Sequence, residues 1–155
     1  ILHGPELSQE EKERLAEEKN DTYRARLSEM STNDLSTEVR ETLGTLREMG
    51  LKLAIGYSSK NTKFILKQIG LDGFFDAISD GTNIVKSKPD PEVFLKAAEF
   101  IKEKPEECLV IEDAEAGIDA AAAGNFVSAG IGSAAKYEKC TYQLKSFNDI
   151  IDIVK

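Results

Sequence analysis

Short apolar runs alternate with amphipathic stretches along most of this chain. Apolar runs bounded by glycine, serine or asparagine predict strands, and apolar residues three or four positions apart predict helices. The predicted strands are residues 51–56, 74–79, 109–111 and 126–131, with a weaker extended piece at 142–144. The predicted helices are residues 8–30, 36–49, 60–69, 90–102, 114–123 and 148–154, with a linker at 31–34.

This alternation predicts an α/β protein, with a Rossmann-like parallel sheet and helices on both faces. Ligands of such sheets bind at the carboxyl ends of the strands. Three polar groups meet that rule: the segment 57–61 after the first strand, Lys88 before a helix, and Glu112 with Asp113 after the third strand. We therefore expect these groups to lie close together.

Composition argues against several classes of function. The chain has 155 residues, with 20 basic and 28 acidic side chains and a net charge of −8, so nucleic acid and anionic membranes are not expected partners. No apolar run is as long as a membrane span. Cys108 and Cys140 stand far apart and His3 is the only histidine, which argues against disulfides, zinc sites and a serine triad and favours a reduced, cytoplasmic protein.

The first candidate site is an anion site formed by Ser58, Ser59, Lys60 and Asn61. These residues leave a predicted strand and enter a predicted helix, so hydroxyls, an ammonium group and backbone amides converge. The alternative is that Ser58 or Ser59 only caps the helix.

The second candidate is Lys88, whose backbone is stiffened by Pro89 and by Pro91 two residues further on. A fixed ammonium group suits the neutralisation of an anionic transition state. A surface lysine in a turn is the alternative.

The third candidate is the carboxylate pair Glu112 and Asp113, which follows an apolar strand. Mg²⁺ typically takes one or two carboxylates together with phosphate oxygens and water, so this pair is a candidate magnesium site. The alternative is that the two acids cap the next helix.

In this order, the segments Ser-Ser-Lys-Asn, Ser-Lys-Pro-x-Pro and Glu-Asp followed by Ala-Gly-Ile resemble the haloacid dehalogenase superfamily, and within it the β-phosphoglucomutase-like sugar-phosphate enzymes. The segments 70–76 and 120–124 also resemble this family. The resemblance implies a partial helical cap at residues 1–34 and a core at 35–155 that lacks its first strand. It also implies phosphoryl transfer on a small phosphorylated sugar, with Mg²⁺ as cofactor and an aspartyl-phosphate intermediate.

The resemblance further assigns roles by position. Lys88 is expected to hold the transferring phosphoryl group, and Asp113 with Glu112 to anchor Mg²⁺. Ser59, Lys60 and Asn61 match the segment that binds the sugar phosphate. Lys19 and Asn20 match a cap pair that faces the sugar, with a solvated helix face as the alternative; together with the phosphate segment they favour a mutase over a phosphatase.

The chain departs from the family pattern in two places. The nucleophile motif Asp-x-Asp-Gly-Thr/Val is not found, and the segment Asp80-Gly81-Thr82 only imitates its end and is predicted to be a turn. A small hydroxyl that binds phosphate in the family is replaced by Tyr57, with Ser58 one position away. We therefore expect the chain to be inactive and only marginally stable alone. The alternative is a non-catalytic remnant that binds anions or a partner, or self-associates where the central strand would lie.

Overall fold

The computed structural model describes residues 30–155, in which helices alternate with strands. The helices are α1 (Thr37–Glu48), α2 (Thr62–Gln68), α3 (Glu92–Ile101), α4 (Glu115–Ala123) and α5 (Ile150–Val154). The strands are β1 (Ala54–Gly56), β2 (Ala77–Ser79), β3 (Leu109–Glu112), β4 (Val127–Gly130) and β5 (Tyr142–Gln143). The order agrees with the predicted one, although β1 and β2 are shorter than predicted. The predicted helix 8–30 lies outside the described residues except for its last position.

The beginning and end of α1 follow from local sequence. The Ser36 hydroxyl accepts a hydrogen bond from the Val39 N–H at 3.1 Å, which caps the helix. Gly50, with φ of 82°, takes the left-handed conformation just after the helix. The segment predicted as a linker forms a short 3₁₀ helix, Thr32–Asp34, because Ser31 and Asp34 cap one another's backbone.

The strands form two parallel sheets, which agrees with the predicted parallel α/β fold. β1 pairs with β2, with Ile55 opposite Ile78. β4 pairs with both β3 and β5, with Ala129 opposite Ile111. Within residues 30–155 no ladder joins β1 to β3. The architecture is nevertheless an α/β fold of parallel strands covered by helices on both sides.

Strand β3 shows how the helices cover two faces. Val110 packs with residues of α3 and α4, including Phe94 and Ala121, on one face. Leu109 and Ile111 pack on the opposite face, in a cluster that includes Leu46 of α1. Because side chains alternate along a strand, an uninterrupted apolar run is what a strand buried on both faces requires.

Asp76 joins α1 to the first sheet. It forms an ion pair with Arg47 at 2.8 Å and accepts a hydrogen bond from the Leu53 N–H, also at 2.8 Å. Arg47 also donates to the Phe74 carbonyl oxygen. The Leu53 N–H and then the guanidinium hold the pKa of Asp76 below its ordinary value.

Across residues 30–155, the helices are too short or too polar for any of them to span a lipid bilayer.

Candidate functional site

The candidate site lies where β1 and β3 end, around an ion pair between Lys88 and Glu112. The Lys88 Nζ lies 2.9 Å from Glu112 Oε1, and the two side chains are only 15% and 12% exposed. The same Nζ lies 4.7 Å from the centre of the Phe94 ring, within range of a cation–π interaction. The ammonium group is therefore held by a carboxylate on β3 and by an aromatic ring on α3.

The loop that carries Lys88 is fixed on both sides. Before it, the Glu92 carboxylate accepts hydrogen bonds from the Val85 and Lys86 N–H groups at 2.8 and 3.0 Å, and these bonds lower the pKa of Glu92. After it, Asp90 Oδ1 accepts the Glu92 N–H at 3.0 Å, at the first residue of α3. The position of Lys88 is thus set by backbone contacts as well as by its own ion pair.

Glu112 occupies space that only a glycine leaves open. A Cβ atom at Gly117, near the start of α4, would lie 1.6 Å from Glu112 Oε2 and 2.4 Å from its Cγ. The resemblance assigns Gly117 no role. A glycine inside a helix lowers stability relative to alanine. The presence of glycine at this helical position is therefore the feature of the sequence that indicates close packing of another group against the helix.

Asp113, the next residue, is exposed, and its backbone oxygen accepts a hydrogen bond from the Ser133 hydroxyl at 2.6 Å. This contact brings the loop after β4 to the end of β3. Ser133 was not singled out in the sequence, because nothing in its local pattern marks it.

The helix after β1 begins two residues later than the predicted start at residue 60. Helix α2 begins at Thr62, so Lys60 lies in the preceding turn, where it is exposed. The Ser59 hydroxyl accepts the Asn61 N–H at 3.0 Å, and the Ser59 carbonyl accepts the Thr62 hydroxyl at 2.7 Å. These bonds use Ser59 to shape the turn before α2, whose first residue follows Asn61, and no side chain caps the helix there. The Ser58 Oγ is buried and has no hydrogen-bond partner within the described residues.

The segment Asp80-Gly81-Thr82 is a turn, as predicted. Asp80 Oδ1 accepts the Thr82 N–H at 2.9 Å, and the Gly81 N–H donates to the Ser59 carbonyl at 3.2 Å. Asp80 is only 1% exposed, and its Oδ2 has no partner among residues 30–155. Nothing in the local sequence indicates this burial, because turn residues of this type are usually at the surface.

Tyr57 follows β1 directly and is 44% exposed. Its N–H donates to the Ser79 carbonyl at 3.0 Å, which continues the β1–β2 ladder by one residue. Tyr57 lines the same cavity as Lys88 and Glu112. A bulky phenol therefore lines the cavity that the ion pair also lines.

The carboxylates suit one kind of metal site only. No group of three or more His, Cys, Asp or Glu side chains within residues 30–155 is placed to hold a metal ion. Glu112 is already paired with Lys88, while Asp113 is exposed. This donor set fits Mg²⁺ held by one or two carboxylates, with phosphate oxygens and water completing its shell; it does not fit a cation enclosed by protein.

The remaining candidate residues, Lys19 and Asn20, lie outside the described residues. Their predicted role toward the sugar stays a prediction. The structure brings Lys88 and Glu112 into contact and places Tyr57 along the same cavity, while the Ser59 hydroxyl is used within its own loop.

Comparison with known proteins gives concordant matches. A sequence profile described as haloacid dehalogenase-like hydrolase matches residues 3–125. The β-phosphoglucomutase of Bacillus subtilis is 36% identical over 122 residues, which are 79% of this chain and 54% of that protein. A phosphorylated carbohydrates phosphatase of Thermotoga maritima is 32% identical over 112 residues, covering 71% of this chain and 49% of that protein.

A crystal structure of β-phosphoglucomutase from Clostridium difficile superposes with a TM-score of 0.87 at 34% identity, covering 96% of this chain and 67% of that one. The chain thus spans about half the length of the two curated relatives named here.

Proposed function

We infer a function from one premise, which is that the chain belongs to the haloacid dehalogenase-like hydrolase family. We propose that residues 35–155 are the phosphoryl-handling core of a Mg²⁺-dependent phosphomutase or phosphatase that acts on sugar phosphates. The names of the Bacillus subtilis and Thermotoga maritima relatives support this substrate class. The observation that carries the proposal is the largely buried Lys88–Glu112 pair at the end of β3.

In this proposal Lys88 binds the phosphoryl group and offsets its negative charge. Glu112 keeps the ammonium group in place, since the 2.9 Å contact and the Phe94 ring leave it little freedom. Asp113, which is exposed beside Glu112, supplies a carboxylate to Mg²⁺. When bound, Mg²⁺ would offset charge on the phosphoryl oxygens.

The same proposal predicts binding without turnover for these 155 residues alone. No Asp-x-Asp pair occurs in the sequence, so the family's usual nucleophile motif is not present in it. Asp80 does not replace that nucleophile, because it is buried in a turn and bonded to Thr82. We expect the chain to bind inorganic phosphate in the presence of Mg²⁺ and not to hydrolyse or isomerise glucose 1-phosphate.

Calorimetric titration with phosphate, with and without Mg²⁺, tests the proposal. Lys88→Met should weaken phosphate binding by about tenfold or more, corresponding to about 1.4 kcal/mol. Lys86→Met is the matched control, because Lys86 lies two residues earlier on the same exposed loop and only its backbone is fixed. Asp113→Asn should remove the dependence of phosphate binding on Mg²⁺.

Two results would refute the proposal. The first is phosphate affinity that does not depend on Mg²⁺, and the second is an equal loss of phosphate affinity in Lys88→Met and Lys86→Met. Turnover of glucose 1-phosphate by the chain alone would refute the predicted inactivity.

The substitution Tyr57→Ser tests whether the phenol, which stands where the family has a small hydroxyl, obstructs phosphate binding. If the phenol obstructs phosphate, the smaller hydroxyl should strengthen phosphate binding while Lys88→Met in the same background still weakens it. Unchanged affinity in Tyr57→Ser would mean that the phenol does not restrict the pocket.

The second candidate function is a binding module without catalysis. The observation that favours it is the separation of the two sheets, since this leaves an apolar cavity between β1 and β3.

A further inference from the structure

The turn that carries Asp113 is held from another part of the chain. Asp113 and Ala114 connect the end of β3 to the start of α4, and Ala114 occupies the N-cap position of the helix. The Ala114 side chain has no group that caps a helix, and no side-chain cap is formed there. The local sequence of the turn therefore provides little to fix its backbone.

Ser133 supplies a contact that the turn itself lacks. The Ser133 hydroxyl donates to the Asp113 carbonyl oxygen at 2.6 Å, across 20 residues of sequence. This distance is typical of a well-formed O–H···O hydrogen bond. Because Ser133 is exposed, burial does not force its hydroxyl to find a protein partner. The bond thus joins two loops that the fold does not otherwise require to be joined at this point.

The backbone before Ser133 leads it to this position. The Ile131 N–H donates to the Glu112 carbonyl at 2.9 Å, so the pairing of β4 with β3 continues as far as the residue before Gly132. Gly132 then turns the chain with φ of 60°, in the left-handed region that glycine adopts readily. A Cβ atom at Gly132 would lie 4.0 Å from the Asp113 Cβ. The two loops therefore approach each other closely.

The loop is attached to α4 on the other side of Ser133. The Tyr137 hydroxyl donates to Asp119 Oδ1 at 2.7 Å, and Lys139 Nζ lies 3.2 Å from the same oxygen. Ala134, which follows Ser133 directly, is fully buried. The Ser133 hydroxyl is thus presented to Asp113 from a backbone that is fixed before and after it.

The direction of the Asp113 carboxylate matters because Glu112, the other acid of the pair, is engaged by Lys88. Mg²⁺ requires nearly ideal octahedral geometry, with ligand oxygens at about 2.0–2.1 Å. A carboxylate on a loosely held turn satisfies that geometry only for a fraction of the time. The apparent affinity for the metal falls by the same fraction.

We propose that Ser133 is a positioning residue for the Mg²⁺ site, because its hydroxyl fixes the backbone of Asp113 and so directs the carboxylate of that residue. The inference rests on the proposed function, in which Asp113 supplies a ligand to Mg²⁺. In this role Ser133 acts through Asp113 and does not itself bind the metal.

The test titrates the full 155-residue chain with Mg²⁺ alone, in a buffer without phosphate. The amide chemical shifts of Asp113 and Ala114, measured by NMR, report binding. We expect Ser133→Ala to weaken Mg²⁺ binding by about tenfold, as the loss of a group that orients a metal ligand typically does. Ser133→Thr retains a hydroxyl and should restore most of the affinity.

Tyr137→Phe is the matched control. It also removes one hydroxyl and one hydrogen bond from the same loop, but that bond goes to Asp119 rather than to Asp113. We expect a much smaller change of Mg²⁺ affinity in this variant, because the Ser133 bond remains and Lys139 still pairs with Asp119.

A second measurement needs no metal. Relaxation of the backbone ¹⁵N nuclei gives the order parameters of the Asp113 and Ala114 N–H groups. We expect these to lie near the rigid-backbone value of about 0.85 in the unchanged chain and in Tyr137→Phe, and to fall in Ser133→Ala. The amide shifts of residues far from the turn verify that each variant is folded.

The outcomes distinguish this inference from the proposed function. If Mg²⁺ causes no shifts at Asp113 in the unchanged chain, the proposed magnesium site is wrong and the role of Ser133 is wrong with it. If the unchanged chain binds Mg²⁺ and Ser133→Ala binds it equally well, only the role of Ser133 is overturned. Equal losses of Mg²⁺ affinity in Ser133→Ala and Tyr137→Phe would also overturn it, because the loop as a whole would then set the affinity.

Discussion

Strands β1 and β4 belong to the two sheets that border the same cavity, but the structure buries these two strands to different degrees. In β4 the residues Ser128, Ala129 and Gly130 are all buried, whereas no residue of β1 is. Both strands are rich in small or apolar residues, so composition does not explain the difference. β4 has a paired strand on each side, while β1 has β2 on one side and the cavity on the other. The burial of a parallel strand is thus set by its neighbours as much as by its own sequence.

The largest expected effect on the free energy of unfolding tests this contrast, with one buried side chain beside each sheet. Ile118 of α4 is fully buried beside the three-stranded sheet, whereas Leu66 of α2 is buried beside β1 and lines the cavity. We expect Ile118→Ala to lower the free energy of unfolding by about 3–5 kcal/mol, and Leu66→Ala by about 2–3 kcal/mol, because Leu66 already adjoins open space. Urea denaturation measures both values. An equal or larger loss in Leu66→Ala would contradict the view that the second sheet is the better-packed half.

A smaller effect sharpens the comparison at the candidate site. Gly117→Ala places a methyl group where the Glu112 side chain lies, and we expect a loss of about 1–3 kcal/mol in unfolding free energy. Gly44→Ala is the matched control, because this glycine also lies inside a helix and a Cβ there meets nothing within 4 Å. That change should instead stabilise the protein by about 0.5–1 kcal/mol.

A double variant separates crowding from helix propensity. In a Glu112→Ala background the penalty of Gly117→Ala should disappear, since the side chain that it displaces is gone. If the penalty persists, the glycine serves some contact other than Glu112.

The smallest expected effect is a pH dependence confined to the first sheet. Asp76 has a pKa below its ordinary 3.8, because it accepts the Leu53 N–H and pairs with Arg47. Its stabilising contribution is therefore complete above pH 3.8 and is lost as the pH falls through the lowered pKa of the folded state. We expect Asp76→Asn to flatten this part of the acid unfolding curve, and amide exchange to show β1 and β2 loosening before β3 and β4. Parallel curves for the two proteins would exclude Asp76 as the group responsible.

The sequence was most informative where structure is decided locally. Ser36 and Gly50 mark the limits of α1 through a cap and a left-handed turn, and both are visible in a few neighbouring residues. The rule that ligand groups gather at the carboxyl ends of parallel strands also anticipated that Lys88 would lie near Glu112.

What the sequence did not reveal depends on contacts between distant segments. The burial of Asp80, the space that Gly117 leaves for Glu112, and the contact of Ser133 with Asp113 each join residues that no local pattern relates. Such contacts are set by tertiary geometry rather than by residue type.

The cavity between the sheets also determines how this molecule should respond to hydrostatic pressure. Compression favours states with less internal void, and a cavity of about 760 Å³ separates β1 from β3. Water forced into this space would part the two halves of the molecule while the β3–β4 ladder stays closed. Under pressure, therefore, the fold is expected to open between β1 and β3 before the strands of either sheet separate from one another.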